Sequence, residues 1–251
     1  MPPKRDRATQ LLADICSAFG LLSRLPCPQT QRHRPHAAWA WPLVGAVVGA
    51  LAAGTGWAAV QLGLTAGIAA ALALAVGALA TGALHEDGLA DSADGLFGGW
   101  TPERRLEIMK DSHIGSYGTL ALVFTGLAKW SALGVLLSAD AVFAVVAASA
   151  VSRAPMAMIM AGLPNARAGG LSQSVGRPPV AAALVAAAVA FAVAAPIGLG
   201  MAGGMALAAA AAGFGVALLA RARLGGQTGD VLGASQQLAE LAALCVAVAL
   251  L

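Results

Sequence analysis

Long apolar segments alternate with short polar ones along almost the whole chain, which is the pattern of a membrane protein. A transmembrane helix needs roughly 20 consecutive, predominantly apolar residues. Segments that approach or reach this length lie at residues 38–61, 65–84, 115–138, 141–163, 179–199, 201–220 and 237–251. The last segment is short for a full span. The pattern therefore predicts an all-α, polytopic membrane helix bundle with six or seven spans.

The N-terminal region differs from these segments because polar side chains interrupt it. Residues 8–25 include Asp14 and Arg24, which indicates an amphipathic interfacial helix, and residues 26–36 form a basic, proline-rich loop. Composition supports the same fold class: 59% of the residues are hydrophobic and 11% are charged, whereas soluble domains carry about 25% charged residues. We therefore predict a single integral membrane domain over residues 1–251.

Basic residues are distributed on one side of the predicted spans. The loops near residues 63, 140 and 200 contain no Lys or Arg. The positive-inside rule then places the N-terminus and the polar loops in the cytoplasm, so the net charge of +3 indicates membrane orientation rather than nucleic-acid binding. The side predicted to be cytoplasmic holds Lys4, Arg5, Arg7, Arg24, Arg32, Arg34, Arg104, Arg105, Lys110, Arg167, Arg177, Arg221 and Arg223.

Two basic residues lie inside predicted spans. Arg153 is close to the middle of its span, where a charge is costly and usually faces the bundle interior at a functional site. A structural ion pair with Asp140 or Asp230 is the alternative explanation. For Lys129 we expect the long side chain to reach the membrane surface.

Acidic residues are concentrated in one polar segment. Of the 12 in the chain, seven fall between residues 86 and 111. Asp87, Asp91 and Asp94 are spaced i, i+4 and i+7, so they share one face if the second span continues as a helix. Each neighbouring pair would repel by roughly 3 kcal/mol at an effective dielectric constant near 20. Mg²⁺ prefers oxygen ligands, often alongside substrate phosphates, so the spacing predicts a site for Mg²⁺, with Mn²⁺ as an alternative.

A second short helix is predicted after Thr101 and Pro102, which fit its N-cap and first position. It carries Arg104 and Arg105, which could contact phosphate, and also Lys110 and Asp111; a solvated loop would explain the mixed charges of residues 103–110 equally well. Farther along, the glycine-rich segment 225–230 ends in Asp230 and is either a phosphate-binding loop or only a turn.

The segment His85–Gly95, HEDGLADSADG, resembles the signature of the cobalamin synthase family, the adenosylcobinamide-GDP ribazoletransferases. The resemblance continues through Glu103–Gly115, ERRLEIMKDSHIG, and covers nearly the whole chain. The remaining matching segments are Ser23–Pro26, Ser152-Arg153, Ala166-Arg167 and Gly225–Ala234. One departure is the pair Gln236-Gln237, where the family often has Asn-Glu.

This resemblance implies an enzyme of cobalamin assembly in the bacterial inner membrane, with its active site facing the cytoplasm. Adenosylcobinamide-GDP would be the donor, and α-ribazole or its 5′-phosphate the acceptor. The acceptor ribose 3′-hydroxyl would attack the phosphorus attached to cobinamide, and GMP would leave. Metal ligation is expected from Asp87, Asp91 and Asp94 and catalysis from Asp111, as the base, and Arg153. Substrate binding is expected from Arg104, Arg105, Lys110, Arg167 and Asp230.

Two other functions fit part of the pattern. A membrane CDP-alcohol phosphotransferase also uses spaced aspartates, but its D-G-x-x-A-R element fails here, because Asp87-Gly88 is followed by Leu89, Ala90, Asp91 and Ser92. A cation-coupled transporter would place its ionisable residues near the bilayer midplane, whereas nearly all lie on one side here. The oligomeric state is left open by the sequence.

Overall fold

The computed structural model describes residues 7–28 and 34–251, and this part of the chain is an all-α bundle, as predicted. Short 3-10 turns precede the second helix at Pro35–Ala40 and follow the tenth at Ala195–Ile197. In chain order the helices are α1 (Arg7–Leu22), α2 (Trp41–Gln61), α3 (Ala66–Thr81), α4 (Leu84–Gly98), α5 (Pro102–Ile108), α6 (Ser116–Ser138), α7 (Val142–Val151), α8 (Arg153–Gly162), α9 (Leu171–Val175), α10 (Val180–Ala194), α11 (Leu199–Leu224) and α12 (Gly229–Ala249).

The count of membrane spans is confirmed as six or seven. Six are long and apolar enough on their own: α2 with its preceding turn, α6, α7 joined to α8, α10, α11 and α12. The far ends of α2 and α6 lie on the same side, because the Trp57 indole donates to Asp140 at 3.0 Å. The chain must therefore return across the bundle between them, and α3 makes that crossing as the seventh span.

The second span does not continue as one straight helix through the acidic segment, which was the condition for placing the three aspartates on its face. Gly82 and Ala83 adopt left-handed backbone conformations, with φ of 66° and 56°. The helix therefore ends at Thr81, and α4, which carries all three aspartates, leaves at 90° to α3. The last span also differs from its predicted extent, since α12 begins at Gly229 rather than at 237 and has 21 residues, enough for a full crossing.

The predicted N-terminal helix corresponds to α1. Its buried Asp14 pairs with Arg34 at 2.6 Å and accepts a hydrogen bond from the Trp39 indole, which fixes α1 against the turn before α2. Leu11 and Leu12 remain exposed, which is the kind of apolar face that an interfacial helix presents to lipid.

Small residues allow the spans to approach closely. A Cβ atom added at Gly49 of α2 would lie 2.7 Å from Ser149 Cβ of α7. Inside a bilayer, close van der Waals packing of this kind holds helices together because lipid tails are as apolar as the side chains. Helix α12 packs against α4, α6, α7, α8 and α11. These contacts bring the start of α12 against the acidic helix α4.

Candidate active site at the acid-rich end of the bundle

Two glycines let α4 lie directly on the first turns of α12. A Cβ atom at Gly88 would lie 2.8 Å from the Asp230 carbonyl oxygen, and one at Gly233 would lie 3.2 Å from the Gly88 Cα atom. Any side chain at either position would push the helices apart. The close crossing places the α4 residues Asp87 and Asp91 beside Asp230.

The start of α12 is held by a loop on the other side. Thr228 caps α12 with its hydroxyl group, and Asp230 forms an ion pair with Arg167 at 3.1 Å. The two loops that carry these residues are joined by the backbone hydrogen bond from Gln227 N to Pro164 O at 2.8 Å. Arg167 and Asp230, both predicted to bind substrate, are therefore brought together next to the acids of α4.

An open cleft of about 440 Å³ separates α4 from the segment that follows α5. Three of the predicted site aspartates line this cleft, and a basic residue lies opposite them. The charged and histidine residues that line it are Glu86, Asp87, Asp91, Lys110, Asp111 and His113. This cleft therefore collects charged residues from α4 and from the segment after α5, since Lys110 and Asp111 lie beyond the end of the helix predicted to carry them.

Asp94 has a different environment from Asp87 and Asp91. Its side chain is buried, and its two carboxylate oxygens accept hydrogen bonds from Gly115 N at 2.7 Å and Gly118 N at 2.9 Å. A carboxylate at this place satisfies backbone N–H groups that the start of α6 would otherwise leave unpaired. The row of three aspartates thus runs from the cleft into the protein, and its last member anchors α6.

Electrostatics in the cleft favour a cation. Burial raises the pKa of Asp91 to about 7, and the negative charges of Asp87, Asp230 and Asp94 add to the rise, while Arg167 opposes it. Within the described ranges no basic side chain forms an ion pair with Asp87 or Asp91. The same residues contain no group of three or more His, Cys, Asp and Glu side chains arranged to hold a metal ion.

The two arginines of α5 make contacts within the chain. Arg104 pairs with Glu107 at 3.0 Å on the exposed side of the helix. Arg105 donates to the Arg223 carbonyl oxygen at 3.1 Å, which ties α5 to the end of α11. Their predicted role in binding phosphate stays a prediction, whereas Lys110 lines the cleft directly.

Asp111, the predicted base, belongs to a pair of exposed residues at the cleft. Its carboxylate accepts hydrogen bonds from the backbone N of His113 at 3.0 Å and from His113 Nδ1 at 2.8 Å. These two hydrogen bonds hold the pKa of Asp111 below its usual range. A carboxylate engaged in this way is a weaker base, and it orients the imidazole ring so that Nε2 is available.

Arg153 lies in the bundle interior, as predicted, but it lines an interior cavity that adjoins the acidic cleft at Glu86 rather than the cleft itself. Its carboxylate partner is Glu240 at 3.4 Å, not Asp140 or Asp230 as the structural alternative supposed. The expectation that Lys129 reaches the membrane surface is wrong, because its side chain is buried and bonds to Glu240 at 2.5 Å.

Glu240 is the residue that sequence reasoning missed. It is a single carboxylate within an apolar span, and such a group needs a partner. Lys129 and Arg153 were the available cations within spans, so the pairing was open to prediction. Gln237, which stands where the family often has Glu, accepts from Lys129 at 2.7 Å and donates to Glu86 at 3.0 Å. A continuous polar cluster therefore links α12 to the helix of the acidic cleft.

The fold and the cleft together define a multi-pass membrane protein with an acid-lined site at one end of its bundle. A family model described as cobalamin-5-phosphate synthase matches residues 14–248. The chain belongs to that family, and it is an enzyme, a transferase of cobalamin biosynthesis. The resemblance to the cobalamin synthase family is thereby confirmed. This assignment replaces the two alternatives, a CDP-alcohol phosphotransferase and a transporter.

Curated relatives cover almost the entire chain. An adenosylcobinamide-GDP ribazoletransferase of Bradyrhizobium diazoefficiens is 42% identical over 255 residues, covering 99% of this chain and 98% of the relative. Proteins of the same name from Brucella canis and Brucella suis are 43% identical over 250 residues, covering 93% of this chain and 95% of each relative. No solved structure matches the chain.

Proposed function

We propose that the protein transfers the adenosylcobinamide phosphate group from adenosylcobinamide-GDP to α-ribazole or its 5′-phosphate. The acceptor's ribose 3′-oxygen forms a bond to the phosphorus attached to cobinamide. The bond from that phosphorus to the bridging pyrophosphate oxygen breaks, and GMP leaves with the electron pair. The hydroxyl proton passes to the protein. Family membership and the names of the relatives support the reaction, and the acidic cleft supports the place where it occurs.

The observation that carries this assignment is the convergence of Asp87, Asp91, Lys110 and Asp111 on one cleft. Phosphoryl transfer depends mainly on positioning and on neutralising charge. Lys110 supplies a positive charge opposite the acids, and Arg167 lies behind Asp230 on the other side of α4. A pyrophosphate in the cleft would therefore meet the Lys110 side chain there, while Arg167 holds Asp230 behind α4.

Asp87 and Asp91 are the residues that would hold Mg²⁺, with Mn²⁺ as an alternative. They fit such an ion because both lie at the cleft without an ion-pair partner among the described residues, and because burial and the neighbouring acids raise the pKa of Asp91, an effect that a bound cation would oppose. Mg²⁺ is usually bound by one or two carboxylates together with substrate phosphates, so a third protein ligand is not required. When bound, the ion would neutralise charge on the pyrophosphate and stabilise the leaving phosphate.

Asp94 was predicted as a third ligand, but we assign it to positioning. Both of its oxygens already accept backbone hydrogen bonds from the start of α6. It therefore holds α6 against α4 and fixes the far wall of the cleft.

We assign the removal of the acceptor hydroxyl proton to the Asp111–His113 pair. Asp111 holds His113 Nδ1–H, so that Nε2 is the free base that receives the proton. In the same way, the aspartate of a catalytic triad accepts a hydrogen bond from imidazole Nδ1–H and so orients the ring for catalysis. It refines the expectation that Asp111 removes the proton itself.

The cleft is proposed to face the cytoplasm of the bacterial inner membrane. The support is the position of the basic residues on loops and helix ends at the cleft end of the bundle. Cysteines introduced at Ser112 and Ser174 should resist a membrane-impermeant thiol reagent in intact cells and react after lysis. Efficient labelling of both cysteines in intact cells would show that the cleft faces the periplasm instead.

The direct test of the reaction is GMP release by the purified protein with adenosylcobinamide-GDP and α-ribazole. Release should need both substrates and Mg²⁺. The variant Asp87→Asn should lose it, while Glu103→Gln, an exposed acid of α5 outside the cleft, should retain it. Release that does not depend on α-ribazole would contradict the transferase assignment.

A further inference from the structure

A second cavity, of about 160 Å³, lies behind α4 on the side facing α8 and α9. We call it the α9 pocket. Its inner wall is apolar, and the side chains that form it come from five separate elements of the chain, namely Leu22, Trp41, Met156, Met160, Val175 and Leu232. All six side chains are at most 5% exposed, so the pocket is a built interior space and not a surface groove.

The rim of the α9 pocket is polar. Asp87, Arg167 and Asp230 line it together with the apolar residues. Asp87 also lines the acidic cleft, so this residue of α4 borders both spaces. The polar rim of the pocket therefore shares Asp87 with the proposed site of phosphoryl transfer.

Two buried polar atoms at the pocket lack a hydrogen-bond partner among the described residues. They are His85 Nε2 and Arg167 Nη1. Buried polar groups are paired in the great majority of cases, and an unpaired one costs about 1–3 kcal/mol. His85 is 1% exposed. A mostly apolar ligand with one hydrogen-bond acceptor would pair with His85 Nε2–H. Such a ligand would bring no further polar group against the apolar wall.

The volume of the cavity limits the size of the ligand that it can hold. Pockets that take a whole drug-sized ligand have roughly 300–1,000 Å³, so a space of about 160 Å³ accommodates one ring system. A void of this size is too large for ordinary packing defects, since interiors have few voids larger than a water molecule.

We propose that the α9 pocket binds the dimethylbenzimidazole base of the acceptor α-ribazole. The inference rests on the proposed function and deepens it. This base is a flat, apolar bicyclic system with two methyl groups and one free ring nitrogen. It matches an apolar wall with only a few unpaired polar atoms better than guanine, whose several N–H and C=O groups would be left unpaired there, and the corrin ring of the donor is far too large.

Occupation of the pocket by the base would place the ribose at the polar rim. Asp230 and Arg167 lie there to contact the sugar and, in the phosphorylated acceptor, its 5′-phosphate. The ribose 3′-hydroxyl then passes Asp87 towards the cleft, where the donor pyrophosphate is proposed to lie.

Base preference tests this assignment. Val175→Phe places a phenyl ring in the space, so the KM for α-ribazole should rise by more than about tenfold, the least effect expected for even a methylene-sized mismatch in an apolar pocket. The preference for α-ribazole over the riboside of unmethylated benzimidazole should fall with it. Met160→Ala enlarges the space, so kcat/KM for the riboside of the larger naphthimidazole should rise about tenfold. The KM for adenosylcobinamide-GDP should stay unchanged in both variants.

Two substitutions outside the pocket serve as matched controls. Val216→Phe and Met205→Ala change buried residues of α11 that do not line it, and both should keep the wild-type order of bases. If Val175→Phe does not fold, Met160→Ala decides the question, because it only removes atoms.

The outcomes separate the two proposals. If the wild type releases GMP with α-ribazole but Met160→Ala keeps the wild-type base preference, the pocket does not hold the base and the proposed function stands. If the wild type shows no acceptor-dependent release of GMP, the proposed function itself is wrong. A changed base preference in both pocket variants, and in neither control, supports the assignment.

Discussion

Carboxylates occur in two regions of the molecule with opposite electrostatic surroundings. In the cleft beside α4, Asp87 and Asp91 have no cationic partner within the described residues and lie close to further acids. In the bundle interior, Glu240 is paired with both Lys129 and Arg153. The cleft is accessible, whereas each charged group of the interior cluster has a partner of opposite charge. An unpaired charge in an accessible site is free to bind a ligand, whereas a paired charge in the interior is already satisfied.

This contrast makes opposite predictions for the two regions. Removing a charge from the cleft should lower activity without lowering stability, because the charge has no partner to lose. Removing a charge from the interior cluster should lower stability first, because its partners are left buried and unpaired.

The largest effect is expected at the Asp111–His113 pair. Asp111→Asn and His113→Gln should each lower turnover by about 10²–10⁴-fold, the usual contribution of a general base, with unchanged thermal unfolding. Asp140→Asn is a matched control, since Asp140 lies at the opposite end of the bundle. A large effect of Asp111→Asn with a normal rate for His113→Gln would identify Asp111 alone as the base.

The interior cluster should respond in the opposite way. Glu240→Gln leaves Lys129 and Arg153 without their carboxylate and should lower the free energy of unfolding by about 3–5 kcal/mol. Thermal unfolding in detergent measures this loss, and adding Lys129→Met should recover part of it, since one unpaired charge is then removed. Glu103→Gln, an exposed control, should change stability by less than about 0.5 kcal/mol. Wild-type stability of Glu240→Gln would show that the cluster is not held by its ion pairs.

The close crossing of α4 and α12 connects the two regions, and loosening it should give a smaller effect on both. Gly88→Ala places a Cβ atom 2.8 Å from the Asp230 carbonyl oxygen, so the free energy of unfolding should fall by about 1–3 kcal/mol, and turnover should fall with it. Gly126→Ala in α6 has open space around it and should be neutral or slightly stabilising. If Gly88→Ala and Gly126→Ala had the same stability and turnover, the close crossing of α4 and α12 would not be what connects the two regions.

Much of the fold could be predicted because hydrophobic length determines membrane spans. The break between α3 and α4 could not, because the apolar pattern runs through Gly82 and Ala83, and a left-handed alanine is not signalled by residue type. The i, i+4, i+7 spacing correctly put the aspartates on one helix. It could not show that this helix runs from the cleft into the protein, which gives Asp94 a different role from Asp87.

The site was predictable only where its residues are close in sequence. The cleft residues come from one segment and were identified together. The ion pair of Lys129 with Glu240 joins helices 111 residues apart, and the α9 pocket is assembled from five elements. Contacts of that kind depend on how the helices are arranged, which local patterns do not specify.

The central claim is that Asp87 and Asp91 hold Mg²⁺ together with the donor, and donor affinity with and without Mg²⁺ tests it most directly. Wild type should bind adenosylcobinamide-GDP more tightly with Mg²⁺ present. Asp87→Asn and Asp91→Asn should lose this gain, while Asp94→Asn should keep it and unfold at a lower temperature. Donor and Mg²⁺ binding equal to wild type in both Asp87→Asn and Asp91→Asn would contradict the claim.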